Sequence, residues 1–127
     1  MIVDSSVIAA ICLGEPDATT YVDVLEFAQN TKISAATYVE AAAVLDKRRP
    51  GSLDIFINGL NAEIIPVDHA QAVCARAAYQ MYGKGSGHPA ALNFGDCFSY
   101  ALAMEHHDVL LYKGTDFDHT DVRSAMV

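Results

Sequence analysis

The sequence predicts an α/β fold of three layers, in which helices cover both faces of a mostly parallel sheet. Short apolar stretches that resemble strands are separated by one or two helical stretches, an order typical of parallel sheets. The first apolar stretch, Met1 to Val3, runs directly into Asp4, which places a carboxylate where open α/β sheets bind their ligands. The 127 residues, 52% of them hydrophobic, predict a single globular domain over residues 1–127.

The first half of the chain predicts strands at residues 1–3 and 31–34 and helices at residues 7–13, 18–30, 36–48 and 53–60. Ser5 or Ser6 is the expected cap of the first helix, and Gly14 ends it. Asp17 is the expected cap of the second helix, whose apolar residues keep helical spacing. Pro50 marks the end of the third helix, and the fourth carries an apolar stripe with the helical period.

The second half predicts strands at residues 63–67 and 109–112, helices at 69–82 and 94–106, and loops at 83–89 and 114–127. Pro66 places its strand at an edge or an end of the sheet. Asp68 caps the fifth helix, with Gln71 three residues later as in a capping box, and Gly83 ends that helix. Asn93 is the expected cap of the sixth helix.

The formal net charge of −8 sets a condition on any nucleic-acid substrate. Phosphate contacts require Lys and Arg, so a metal, a local basic patch or a basic partner would have to offset the acidity. Acidity that only keeps the protein in solution is the simpler interpretation. No apolar run approaches the length of a membrane span, and no signal peptide is expected. Three widely spaced cysteines favour the reducing cytoplasm over a disulfide framework or a structural zinc site.

Three carboxylates stand alone among uncharged residues: Asp4, Glu40 and Asp96. Each has a simple structural explanation, because Asp4 can cap a turn, Glu40 can face solvent, and Asp96 can stabilise a helix N-terminus. If the three converge, however, their like charges repel one another unless a cation is present. A hard divalent ion such as Mg²⁺, held through oxygen ligands, is the natural solution.

A fourth candidate lies after the last predicted strand, where Asp116, Asp118 and Asp121 occur close together. Spacing does not choose among them, and a solvated loop is the commoner case. The segment lacks the glycine and glutamate positions of an EF-hand. Neither a His-Glu-x-x-His pair nor a Gly-x-Ser-x-Gly motif occurs in the chain, which disfavours zinc peptidase and serine hydrolase chemistry. His88 in the glycine-rich loop could touch a substrate, although an ordinary loop histidine is commoner.

Taken in order, these stretches resemble the PIN-domain ribonucleases, and specifically the VapC toxins of type II toxin–antitoxin pairs. The similarity rests on Met1 to Ser6, Glu40 in an alanine-rich helix, Asn93 to Asp96, Tyr100 to Ala103, and Gly114 to Phe117 after a strand. Each motif is weak by itself, but the ordered set spans the chain. The resemblance implies a compact α/β/α fold and Mg²⁺- or Mn²⁺-dependent endonucleolytic cleavage of RNA.

Carried over by motif, the resemblance makes Asp4, Glu40, Asp96 and Asp116 an acidic quartet, with Asp4 and Asp96 as metal ligands. Ser6 matches a hydroxyl that supports this site. The second acid of the last loop, Asp118, keeps the assignment of Asp116 open. The resemblance further implies a homodimer, an RNA substrate, and inhibition by a small VapB antitoxin.

Two other functions remain compatible with the residues. One is a Mg²⁺-dependent phosphatase or a receiver-like domain that uses strand-end aspartates. Ser6 stands where a phosphatase of the haloacid dehalogenase type needs a second Asp, and the acidic pair of a receiver is missing, although Lys113 could serve as its lysine. The other is a non-catalytic binding module that has kept the fold.

Overall fold

A computed structural model describes residues 1–126 and shows a four-stranded parallel sheet in the order β3-β2-β1-β4. The strands are β1 (Ile2–Val3), β2 (Lys32–Ser34), β3 (Glu63–Ile65) and β4 (Leu110–Leu111). Ile2 pairs with Lys32 on one side and with Leu110 on the other, so β1 is central. The predicted α/β class and parallel sheet are confirmed. The predicted domain end at Val127 lies outside the described residues.

Six α-helices and one 3₁₀ helix accompany the sheet. They are α1 (Ser5–Cys12), α2 (Ala18–Glu26), α3 (Ala35–Arg48), α4 (Ser52–Leu60), α5 (His69–Tyr82), α6 (Asp96–Glu105) and the 3₁₀ helix Asp116–His119. Within residues 1–126, every helix falls short of the length and apolarity that a membrane crossing requires.

Alternation along the strands produces two hydrophobic cores, one on each face of the sheet. Ile2 and Leu110 point into the core that contains α5, α6 and the C-terminal segment. Their neighbours Val3 and Leu111 point into the core formed with the first four helices. Successive strand residues face opposite sides, so a short strand with two apolar residues supports both outer layers.

The expected caps of three helices differ from the structure. Asp17 stands at the cap position of α2, but its side chain makes no capping hydrogen bond. Asp4, rather than Ser5 or Ser6, caps α1, because its side chain accepts a hydrogen bond of 3.1 Å from the Ser6 amide. Asn93 does not cap α6, which begins at Asp96. Instead the Asn93 amide donates to Asp96 Oδ2 at 2.9 Å. Asp4 thus takes the capping role that the prediction gave to a serine, and the Asp96 carboxylate accepts from the amide of the residue that was expected to cap its helix.

Of the capping box predicted at the start of α5, only the bond made by Asp68 is confirmed. Asp68 Oδ1 accepts from the Gln71 amide at 2.8 Å. The Gln71 side chain does not reach back to the Asp68 amide, as a capping box would require. It is buried, accepts from Ser34 Oγ at 2.6 Å and donates to the Pro66 carbonyl at 3.2 Å. As Pro66 predicted, β3 lies at an edge of the sheet.

The predicted loop after α5 is closed at its base, and the C-terminal segment returns to the sheet. The Lys84 amide donates to the Leu92 carbonyl, and the Leu92 amide donates to the Tyr82 carbonyl, each at 2.9 Å. Beyond the 3₁₀ helix, Ser124 forms a parallel bridge with Leu110. Residues 114–127 were predicted as loop, so the 3₁₀ helix and this bridge add structure to that segment.

The strand order determines where a ligand can bind. The chain passes from β1 to β2 on one side and returns much later to the other side as β4. Open α/β sheets bind ligands at the carboxyl ends of strands where the order reverses in this way. That position lies between the ends of β1 and β4, beside Asp4.

Candidate active site

Asp4 lies at the switch point between β1 and β4 and is 2% exposed. Its backbone amide donates to the Leu111 carbonyl at 3.0 Å, which ties it to the end of β4. Ser6 Oγ donates to Asp4 Oδ2 at 2.6 Å, and Ser99 Oγ donates to Asp4 Oδ1 at 2.7 Å. Because a buried carboxylate is costly without donors, these hydrogen bonds compensate for the burial of Asp4.

Glu40 lies in the second turn of α3 and is half-buried against the start of α6. Ser5 Oγ donates to Glu40 Oε1 at 2.6 Å. A Cβ atom at Gly95 would overlap Glu40 Oε2, although the backbone of Gly95 is in the ordinary helical region. Gly95 is therefore required by the close approach of a carboxylate, not by its backbone conformation. Burial is the main reason that the pKa of Glu40 is raised, and the charge of Asp4 adds to it.

Asp96, the first residue of α6, has a strongly raised pKa. Burial raises its pKa from 3.8 to about 7, and the charge of Asp4 is the second cause. Glu40 and Asp116 raise it further, whereas the hydrogen bond from the Asn93 backbone lowers it. The structure thus brings these four acids close enough for their charges to interact.

The three acids after β4 have different surroundings. Asp116 begins the 3₁₀ helix, is exposed, and contributes to the raised pKa of Asp96. Asp118 accepts a hydrogen bond from the Tyr112 hydroxyl. Asp121 Oδ1 accepts from Tyr100 at 2.5 Å and from Tyr82 at 3.3 Å. Asp118 and Asp121 are thus engaged with tyrosines of the core, while Asp116 lies toward the other carboxylates.

The donor set fits a hard cation. All four side chains offer oxygen, and like charges in a partly buried site favour a bound cation. Within residues 1–126, no group of three His, Cys, Asp or Glu side chains is arranged ready to hold a metal. A Mg²⁺ ion needs only one or two protein carboxylates, because it keeps several waters.

Sequence reasoning missed two polar residues of this site, Ser99 and Thr37. Both are fully buried, and their hydroxyl oxygens lie 3.0 Å apart. The available signal was a hydroxyl within an apolar helical stretch, since a buried polar group requires a partner. His88, by contrast, packs its ring edge-on to Tyr82 at 4.8 Å between centroids and accepts from the Ala90 amide through Nδ1. These contacts are those of an ordinary loop histidine.

Comparisons with known proteins agree with the fold and with the predicted family. A PIN domain family model matches residues 1–123. Ribonuclease VapC28 of Mycobacterium tuberculosis is 49% identical over 130 residues, which cover 99% of this chain and 98% of the relative. Ribonuclease VapC42 of the same species is 45% identical over 129 residues, which cover 98% of each.

Two solved structures share the fold. The crystal structure of Mycobacterium tuberculosis VapC20, a toxin that cleaves the sarcin–ricin loop, superposes with a TM-score of 0.73 at 15% identity and covers 95% of each chain. A toxin–antitoxin complex from Klebsiella pneumoniae gives a TM-score of 0.70 at 20% identity, covering 91% of this chain and 88% of the other.

Proposed function

This chain belongs to the PIN domain family, among the VapC ribonucleases, and we therefore propose that it is a metal-dependent endoribonuclease and the toxin of a toxin–antitoxin pair. One observation carries the proposal. Four carboxylates from separate parts of the chain, Asp4, Glu40, Asp96 and Asp116, meet at the switch point of the sheet, where their charges raise the pKa of Asp96. Such a site attracts a cation and, through it, a phosphate.

Ribonucleases of this family depend in general on a divalent metal, and we propose Mg²⁺, or Mn²⁺ in its place. Asp4 and Asp96 would hold it, with Glu40 and Asp116 contributing directly or through water. When bound, the ion neutralises the scissile phosphate, lowers the pKa of a coordinated water and stabilises the leaving oxygen.

The residues of the chain prepare this site for an ion. Ser6 and Ser99 fix the plane of the Asp4 carboxylate from both of its oxygens. Ser5 holds Glu40 Oε1, so Oε2 lies toward Gly95 and the start of α6. Asp96, with a pKa of about 7, must release its proton before it can bind a cation, which couples metal binding to pH. A carboxylate of the quartet orients or deprotonates the attacking water.

The substrate we propose is single-stranded RNA, recognised by shape and by unstacked bases, since no base-reading motif is present. A net charge of −8 opposes binding to a polyanion, so the cation and a basic partner must compensate. An enzyme that acts on cellular RNA works in the cytoplasm, where the free cysteines Cys12, Cys74 and Cys97 stay reduced.

An antitoxin is the expected partner, because relatives of this chain are VapC proteins and one solved neighbour is a toxin–antitoxin complex. We propose that the antitoxin neutralises the enzyme and that the enzyme itself is a homodimer of single-domain chains. Exposed apolar side chains on three helices support docking of other chains: Val39 on α3, Ile55 on α4, and Val73 and Met81 on α5.

The decisive experiment compares Asp4→Asn with Asp23→Asn, which changes an exposed acid of α2. We expect Asp4→Asn to lower the rate of Mg²⁺-dependent RNA cleavage about 100-fold or more, because several kcal/mol of transition-state stabilisation by the metal are lost. It should also relieve the growth arrest that the chain causes when expressed without the neighbouring small gene.

Asp23→Asn should behave as wild type in both assays, and circular dichroism should show that both variants are folded. Cleavage at the wild-type rate by Asp4→Asn would refute the site. A wild-type chain that neither binds Mg²⁺ nor arrests growth would instead favour a non-catalytic binding module.

A further inference from the structure

A chain of hydroxyl groups leads from α3 through α6 to Asp4. Ser99 Oγ donates to Asp4 Oδ1 at 2.7 Å. Thr37 Oγ1 lies 3.0 Å from Ser99 Oγ. A serine hydroxyl has one proton to donate, and that of Ser99 is committed to the carboxylate. Thr37 must therefore be the donor to Ser99, which gives the chain one direction, from Thr37 to Ser99 to Asp4.

The two hydroxyls are placed next to the other acids of the site. Thr37 precedes Glu40 by three residues on α3, and Ser99 follows Asp96 by three residues on α6, so each pair lies about one helical turn apart. Thr37 and Ser99 are both 0% exposed. The chain thus links the helices that carry Glu40 and Asp96 to the strand end that carries Asp4.

A second chain of donors ends on the opposite oxygen of Asp4. The Lys113 amide donates to Ser6 Oγ at 3.0 Å, and Ser6 Oγ donates to Asp4 Oδ2 at 2.6 Å. Each oxygen of the carboxylate is therefore fixed by a hydroxyl whose own orientation is set by another donor. With both oxygens fixed, the carboxylate cannot rotate, and its remaining lone pairs keep a single direction.

We propose that Thr37 and Ser99 are positioning residues, which orient Asp4 for the cation and thereby support the proposed cleavage of RNA. The inference rests on the proposed function, because it assigns these hydroxyls to the same site. A buried hydroxyl is costly unless it is hydrogen-bonded, and the hydrogen bonds of these two hydroxyls lead to Asp4. Ser99 acts directly on Asp4, and Thr37 acts only through Ser99.

The test uses Ser99→Ala, Thr37→Val, the double variant and Thr37→Ser. Calorimetric titration with Mn²⁺ measures metal affinity without RNA, and cleavage of a single-stranded RNA measures kcat and KM. We expect Ser99→Ala to lower both Mn²⁺ affinity and kcat by about tenfold or more, as loss of a partner of a metal ligand usually does. Thr37→Val should lower both by a smaller factor, with KM for RNA unchanged.

The double variant distinguishes a relay, in which Thr37 acts through Ser99, from two residues that act independently. Because Thr37 acts through Ser99, the double variant should match Ser99→Ala, whereas independent losses would multiply. Thr37→Ser keeps the hydroxyl and should retain wild-type affinity and kcat. Ser34→Ala is the matched control: it removes a buried hydroxyl that bonds to Gln71 and should lower stability without changing Mn²⁺ affinity.

Two results would overturn the relay: wild-type Mn²⁺ affinity and kcat in Ser99→Ala, or a double variant that loses the product of the single effects. Failure of the proposed function would look different. A wild-type chain that binds Mn²⁺ but does not cleave RNA would refute the ribonuclease, while the order of Mn²⁺ affinities among the variants would still decide whether Thr37 and Ser99 position Asp4.

Discussion

Two groups of acids lie near the segment that leaves β4, and they differ in whether a basic side chain accompanies them. Glu15 and Asp17 share Lys113, whose Nζ lies 3.2 Å from Glu15 Oε2 and 3.1 Å from Asp17 Oδ1. The hydrogen bond from Lys113 lowers the pKa of Asp17. The ammonium group of Lys113 therefore serves as the counter-charge of Glu15 and Asp17.

The second group is the acidic quartet, and no ion pair among residues 1–126 brings a basic side chain to it. Burial is the main reason that the pKa of Asp96 is raised to about 7, and the charges of Asp4, Glu40 and Asp116 add to it. The Lys113 backbone supports this group through Ser6, while its ammonium group contacts Glu15 and Asp17. Acidic composition is therefore not informative by itself, because the two groups differ in whether a basic side chain among residues 1–126 accompanies them.

Among changes that leave all four acids in place, we expect the largest effect from Gly95→Ala, which disturbs the quartet without removing a charge. The new methyl group would occupy the position of Glu40 Oε2. Displacement of a reacting group by about 1 Å can cost about 100-fold in rate. Because the obstructed atom is the end of a flexible side chain, thermal stability should change little.

Gly59→Ala in α4 is the control for that variant, since nothing lies within 4 Å of its new methyl group. It should cleave RNA as wild type does. Gly95→Ala with the same cleavage rate as Gly59→Ala would show that the exact position of Glu40 does not matter.

An intermediate effect concerns pH and the metal-free protein. The folded-state pKa of Asp96, about 7, exceeds its ordinary value of 3.8, so between these limits the folded state holds more protons than the unfolded state. The free energy of unfolding should therefore fall as pH rises through this window. The slope should be smaller than ~1.4 kcal/mol per pH unit, which is the value for a difference of one full proton between the two states. Urea titrations from pH 4 to pH 8 measure this slope.

Asp96→Asn should flatten that slope. In the wild-type chain, added Mg²⁺ should raise the free energy of unfolding again at the upper end of the pH range. An unchanged slope in Asp96→Asn would mean that other groups account for the pH dependence, and that the quartet is less crowded than the structure indicates.

The smallest effect should follow from Lys113→Met, which removes the cation of the first group. Surface ion pairs contribute little, because water solvates the freed carboxylates. The backbone amide that supports Ser6 remains. We expect RNA cleavage within about twofold of wild type. A loss as large as that of Gly95→Ala would place the Lys113 ammonium group in the active site.

The sequence was sufficient for the class of fold and for the isolated acids, for identifiable reasons. Alternating strands and helices predict a parallel sheet, and a lone charge such as Glu40 in an alanine-rich helix stands out without coordinates. The assignment of these acids to catalysis remains a prediction. Cap residues were harder, because several polar side chains stand next to each helix start: Asp4 caps α1 in place of a serine, and α6 has no side-chain cap although Asn93 precedes it.

Of the hydroxyl groups around Asp4, Ser6 was predicted, but Ser99 and Thr37 could not be. Ser99 is 95 positions from Asp4 in sequence, and Thr37 is 62 positions from Ser99. Their meeting depends on how α3 and α6 pack across the sheet, which no local pattern specifies. The late acids differ in this respect: Asp121 is engaged by Tyr100 of α6, 21 positions away, whereas Asp118 is engaged by Tyr112, only six positions away.

The pairing of β1 with β4 also has a consequence for synthesis. Ile2 pairs with Leu110 and Val3 with Leu111, so Asp4 is translated long before β4, the strand that completes its surroundings. Pairings of such long sequence separation are slow to form. A nascent chain that has not reached β4 therefore carries Asp4, Glu40 and Asp96 without their common site, and we expect ribonuclease activity to begin only after β4 has been synthesised and paired.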